Sequence, residues 1–138
     1  PGGPFTVRPE PVIDPAADTM TGVLGAGSIK VLRMDDGWIG LQNKIYHDRG
    51  GHSRSAIFVL RSTDGIRWYD ASGTSSPLVA PPEQPDAETA WMSSHVYACD
   101  CRYRQSDGGW YLFYNARDGW TIAEGKERIG RLTALTAS

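Results

Sequence analysis

The 138-residue sequence predicts an all-β chain built from short antiparallel sheets, and three observations lead there. Apolar residues recur at spacing two or in short runs rather than at three and four, the period of strands and not of helices. Sixteen Gly and nine Pro, with five Trp, six Tyr and three Phe, suit many short strands joined by turns. One pattern also occurs twice: Gly37, Trp38, Asn43, Ile57 and Leu60 are matched, 72 positions on, by Gly109, Trp110, Asn115, Ile129 and Leu132.

Taken in order, residues 1–8 carry no period and read as a loose arm. Residues 8–15, RPEPVIDP, hold Val12 and Ile13 between prolines, which confines the segment to an edge strand. A loop over 18–26 leads to strands at 28–33 and 38–46, with a turn at 34–37 between them. The polar, Gly-rich stretch 47–54 joins them to a third strand at 57–62. There Ser62 and Asp64 carry short polar side chains that bond nearby amides, and Gly65 accepts positive φ, so the chain turns back toward Trp68. Residues 66–69 open a fourth strand, which continues through Pro77-Leu78-Val79. A linker rich in Pro and acid (81–90) follows. Then come strands at 95–104, 110–116 and 128–135, joined by a turn at 105–109 and a loop at 117–126. No helix is predicted.

Copy one thus has four strands, and copy two has three. Residues 11–15 (PVIDP) echo residues 77–81 (PLVAP) at a shift of 66, so the N-terminal segment reads as the outermost strand missing from copy two. A strand from one chain end completing a sheet begun at the other is how a β-propeller closes. The expected architecture is therefore about two four-stranded blades in a single domain (28–80 and 95–135), with 8–15 as the closing strand. A blade cannot bury both faces alone and must stack on neighbours.

Composition sets bounds on partners. A net charge of -2 with both signs interspersed argues against nucleic acid and against a basic membrane face. No apolar run approaches the roughly 18 residues of a membrane span. The start, PGGPFTVRPE, has neither an initiating Met nor a signal pattern and reads as processed, tag-trimmed or cut from a longer chain. Cys99 and Cys101 stand two apart, on one face of their strand and badly placed to bridge each other. They read as structural and reduced, with a metal pair as the alternative, and they leave the compartment open. No cofactor and no metal is expected.

The run Ser62-Thr63-Asp64-Gly65-Ile66-Arg67-Trp68 with Pro77-Leu78-Val79, then Gly109-Trp110-Tyr111-Leu112-Phe113-Tyr114-Asn115-Ala116, resembles the five-bladed β-propeller glycoside hydrolases. These comprise the arabinanase and xylosidase family 43 group and the invertase and levansucrase group. A related hairpin occurs in sialidase-type propellers. The resemblance covers roughly residues 11–134. It implies carbohydrate as the partner and carboxylates on the innermost strands acting as base, general acid and tuning group. Five blades exceed what this chain encodes. The resemblance therefore implies either a piece of a longer protein or a ring of identical chains, a dimer making four blades or a trimer making six.

Candidate site residues follow. Asp100 stands where the resemblance places an inner-strand carboxylate. Arg102 and Arg104 share its face and would hold it ionised, as suits a base or tuning group; a channel salt bridge is the alternative. Copy one offers Ser28 or Ile29 at the corresponding place, with Lys30 beside it. Glu127, before the last strand, is the second catalytic candidate, or else a strand-edge acid paired to Lys126 or Arg128. His95, with Tyr97, and Arg102 are candidate sugar-binding groups. Trp91 and Trp120 are candidates to stack on a sugar ring, or else they cover the core. The loop His47-Asp48-Arg49-Gly50-Gly51-His52 resembles a metal cluster only superficially, because flexible Gly separates its His. Asn43 and Asn115 match between copies and read as structural. Three functions stay open: a glycoside hydrolase or degenerate relative, a non-catalytic sugar-binding or scaffold propeller, and a fragment without a function of its own.

Overall fold

A computed structural model describes residues 3–121 and 123–135. The chain is all-β. Its strands are β1 (Val23–Met34), β2 (Gly37–His47), β3 (Ser53–Ser62), β4 (Tyr69–Asp70), β5 (His95–Arg104), β6 (Gly109–Arg117) and β7 (Glu127–Leu135). The hydrogen-bonded order is β1-β2-β3-β5-β6-β7, with β4 beside β3. Every pairing is antiparallel except β3–β5, which meet at the single parallel pair Ser55 and His95. Two antiparallel meanders, β1–β4 and β5–β7, therefore join at one point.

Alternation along the strands decides what each face meets. In the first sheet Leu41 and Ile57 turn toward the second sheet and are buried among Val96, Leu112 and Ala116. Between them Asn43 donates to Val96 O at 3.0 Å and more weakly to Ala56 O at 3.5 Å. Its amide thus links the two sheets directly. An apolar crevice of about 230 Å³, lined by Leu32, Leu41, Cys101 and Leu112 among others, remains between the sheets. Both cysteines are free, and Cys101 is buried on this inner face.

The hairpin after β3 forms as the sequence predicts. Ser62 Oγ accepts the Gly65 N–H at 2.8 Å, and Asp64 Oδ1 accepts the N–H groups of Ile66 and Arg67, each at 2.8 Å. Those backbone donors, Arg67's first, hold the Asp64 carboxyl down at about 2. Gly65 adopts φ +72°, and Trp68 Nε1 donates back to Gly65 O at 3.3 Å. Gly130 is required for space: a Cβ there would lie 2.5 Å from the Tyr114 ring and 2.6 Å from Trp91.

Four expectations change. β1 begins at Val23 and β3 at Ser53, inside stretches read as loops. The fourth strand shrinks to Tyr69–Asp70, and Val79 joins β3 only at an isolated bridge, where Ile57 N–H donates to Val79 O at 2.9 Å. Two single turns of 3-10 helix occur where no helix was expected, at Pro15–Ala17 and Ala90–Met92. Residues 8–15 are not a strand in this chain, because Pro9, Pro11 and Pro15 withdraw three donors from eight residues. Val12 and Ile13 instead border a cleft of about 360 Å³ beside Gln42, Leu60 and Trp68, over the outer face of the first sheet. Asp18 fixes them there by an ion pair of 2.7 Å to the buried Lys44, whose ammonium also lies 4.5 Å from the Phe58 ring centre. Among the described residues, no strand lies along the outer edge of β7.

Candidate functional site

Two groups of chemistry-bearing residues lie on the seam between the sheets. The first is on β1 and β5, the opening strands of the two meanders. Lys30 pairs with Leu41 in β1–β2, and Asp100 pairs with Phe113 in β5–β6. Leu41 and Phe113 are 72 apart, so Lys30, and not Ser28 or Ile29, occupies the place in β1 that Asp100 holds in β5. The turns displace the correspondence by two residues: Met34 faces Gly37 across two residues, whereas Arg104 faces Gly109 across four.

Lys30 Nζ lies 2.6 Å from Asp100 Oδ1, and Arg102 lies 2.9 Å from the same oxygen. The bond to Lys30 first, and the Arg102 charge after it, hold the Asp100 carboxyl below the usual carboxylate range. Arg104, expected beside Asp100, turns away to Asp107 and the Tyr111 hydroxyl. A shallow pocket of about 300 Å³ adjoins Asp100, lined also by Phe113, Asn115 and Ile129.

Glu127 opens β7 opposite Arg117 and pairs with it at 3.8 Å, while Arg128 goes to Asp118 at 3.0 Å. The expected partners Lys126 and Arg128 are therefore replaced by a cross-strand one. Four residue rows and two strand spacings separate Glu127 from Asp100, roughly 16 Å. Glycosidic acid pairs stand about 5 to 9.5 Å apart. Within one chain these two carboxylates do not form such a pair.

The second group surrounds a pocket of about 370 Å³ between the sheets, lined by His95, Tyr97, Arg117 and Trp120 from one side and by Asn43 and Ser55 from the other. His52 stacks on Trp120 with ring centres 4.7 Å apart, and the Arg54 guanidinium lies 4.8 Å from the same ring. His95 meets it edge-on at 5.8 Å. Arg54 is anchored by Asp48 at 2.8 Å and by Ser93 O at 2.6 Å. Asp48 also accepts the N–H groups of Gly50 and His52, so the loop that reads as flexible is pinned by one carboxylate. Arg54 first, then the His52 amide, hold Asp48 at about 2. Burial, reinforced by Arg117 and Arg54, lowers the His95 pKa, so its imidazole is neutral at pH 7. Among the described residues, no three His, Cys, Asp or Glu gather as a metal site.

Of the predicted sugar-binding residues, His95 and Trp120 thus converge. Arg102 belongs to the Asp100 cluster. Trp91 stacks on Tyr114 with centres 6.2 Å apart, over Gly130, and covers the core. Sequence reading missed Arg117, Ser55 and Arg54, whose only signal is their nearness to the ends of strands that meet at the seam, and it weighed His52 only as part of a superficial metal cluster.

Two solved structures share this arrangement of strands. One, described as "Glycoside hydrolase", superposes with a TM-score of 0.67 over 96% of this chain at 17% identity. The fold is glycoside-hydrolase-like. The other, a complex of BT0996 with RGII, superposes with a TM-score of 0.66 over 94% of the chain at 18% identity. The chain covers 32% of each of those structures, about a third of their length. No family model matches it, and no curated protein does.

Proposed function

We propose that this glycoside-hydrolase-like chain is a carbohydrate-binding unit built from two copies of one blade, acts in a ring of identical chains, and holds a sugar in the seam pocket. One observation carries the reading: His95 and Trp120 converge there with Arg117 around about 370 Å³. An indole, a neutral imidazole and a guanidinium offer an apolar face together with donors and an acceptor, the mixture a sugar's hydroxyls and C–H faces require. The neighbour solved as an RGII complex supports the same ligand class. Trp120→Ala is expected to weaken binding at least tenfold in calorimetric titration against a panel of pectic and arabinan oligosaccharides. Equal affinity in the variant removes this pocket, and no binding by the wild type to any of them removes the reading.

Hydrolysis is the second reading, favoured by Asp100 being held ionised on an innermost strand. In it Asp100 acts as base or tuning group and Glu127 as acid, contributed by different copies because one chain keeps them apart. Release of nitrophenol from aryl glycosides by the wild type, lost in Asp100→Asn, supports it. Silence of the wild type on all of them ends it.

A further inference from the structure

The two sheets use unlike faces to meet, and each sheet leaves the other kind of face open. The first sheet buries Leu41 (5% exposed), Asn43 (7%) and Ile57 (0%) against the second. Their counterparts 72 positions on, Phe113, Asn115 and Ile129, lie on the far side of the second sheet. There Phe113 is 46% exposed and Ile129 64% exposed. The Asn43 amide reaches Val96 O across the seam, whereas among the described residues nothing bonds the Asn115 amide. Conversely, the second sheet receives its neighbour on Val96, Cys101 and Leu112. In the first sheet that same side presents Ile29 (37% exposed), Val31 (40%) and the cleft under residues 12–19.

We propose that a second copy of this chain docks head to tail, its first sheet seating on the Phe113–Asn115–Ile129 face of the preceding copy and its residues 11–15 running along the outer edge of β7. Three observations favour a second copy over another partner. The chain already contains both halves of the contact and shows them packed on each other. Charge matches as well: Lys30 and Asp100 hold equivalent places and pair within the chain, so stacked copies would set Asp100 of one beside Lys30 of the next and alternate the signs around the ring. The edge also has a template. Residues 77–81 cap β3 through Val79 at Ile57, and PVIDP, their echo, would cap β7 through Ile13 at Ile129. Docking requires residues 12–19 to leave the face they now cover and the Lys44–Asp18 pair to open. A head-to-tail contact of this kind closes into a ring when the rotation per copy divides a full turn.

The proposal deepens the ring in the reading above but is tested by mass alone, so sugar binding can fail without touching it. Sedimentation velocity of the wild-type chain is expected to show a species of two or three chains. Phe113→Lys with Ile129→Glu, both on exposed side chains, is expected to give a folded monomer by circular dichroism. Ile13→Asp, outside every strand, is expected to weaken association at least tenfold and serves where the first variant fails to fold. A wild-type monomer up to several hundred micromolar overturns the proposal, and so does an oligomer that survives both variants.

Discussion

Asp100 shows what single residues do and do not disclose. That Arg102 would hold it ionised was legible, because residues two apart on a strand share a face. Its stronger partner, Lys30, was not, since the β5–β6 turn is two residues longer than the β1–β2 turn and moves the correspondence between the sheets by two positions. The pair is half exposed and salt-screened, so it tunes the junction of the sheets more than it holds them together. Lys30→Glu is expected to set two carboxylates face to face and lower the urea midpoint. Lys30→Glu with Asp100→Lys is expected to recover most of that loss at low salt. Equal midpoints for the single and the double variant would show that the two groups do not interact.

At the scale of strands, the hairpin after β3 was readable in full because its chemistry is local: Ser62, Asp64 and Gly65 satisfy each other within a few residues. The long strands were readable from alternation, and β5 falls on the residues predicted for it. The short ones were not, since β4 and the Val79 bridge depend on what β3 offers across space. Asn43 and Asn115 separate pattern from context. Both occupy the same register position, yet only Asn43 meets a carbonyl of the adjoining sheet. Asn43→Ala leaves the Val96 carbonyl without that donor inside the seam and is expected to cost about 1 to 3 kcal/mol in urea unfolding. Asn115→Ala in the single chain is expected to cost almost nothing. Equal losses would mean that Asn43 acts within its own sheet.

For the molecule as a whole, the all-β architecture was visible in the sequence, whereas the course of the N-terminal segment was not. Prolines marked residues 8–15 as an edge strand, but in this chain they form no strand and lie over the outer face of the first sheet, where Asp18 and Lys44 fix them. The seam pocket was half visible for the same reason. His95 and Trp120 stood out as residue types, while Arg117, Ser55 and Arg54 acquire meaning only once β3 and β5 touch.

Cys101 turns that contact into something a chemist can time. Its thiol lines the crevice where the sheets meet, and burial pushes its pKa up, so the nucleophilic thiolate is scarce while the sheets stay closed. An alkylating reagent should therefore modify Cys101 only as often as the two halves part, and Asn43→Ala should quicken that clock exponentially with the stability it removes. Adduct formation followed by mass spectrometry would read it, and a rate indifferent to Asn43 would mean that reagent enters the crevice without the sheets separating.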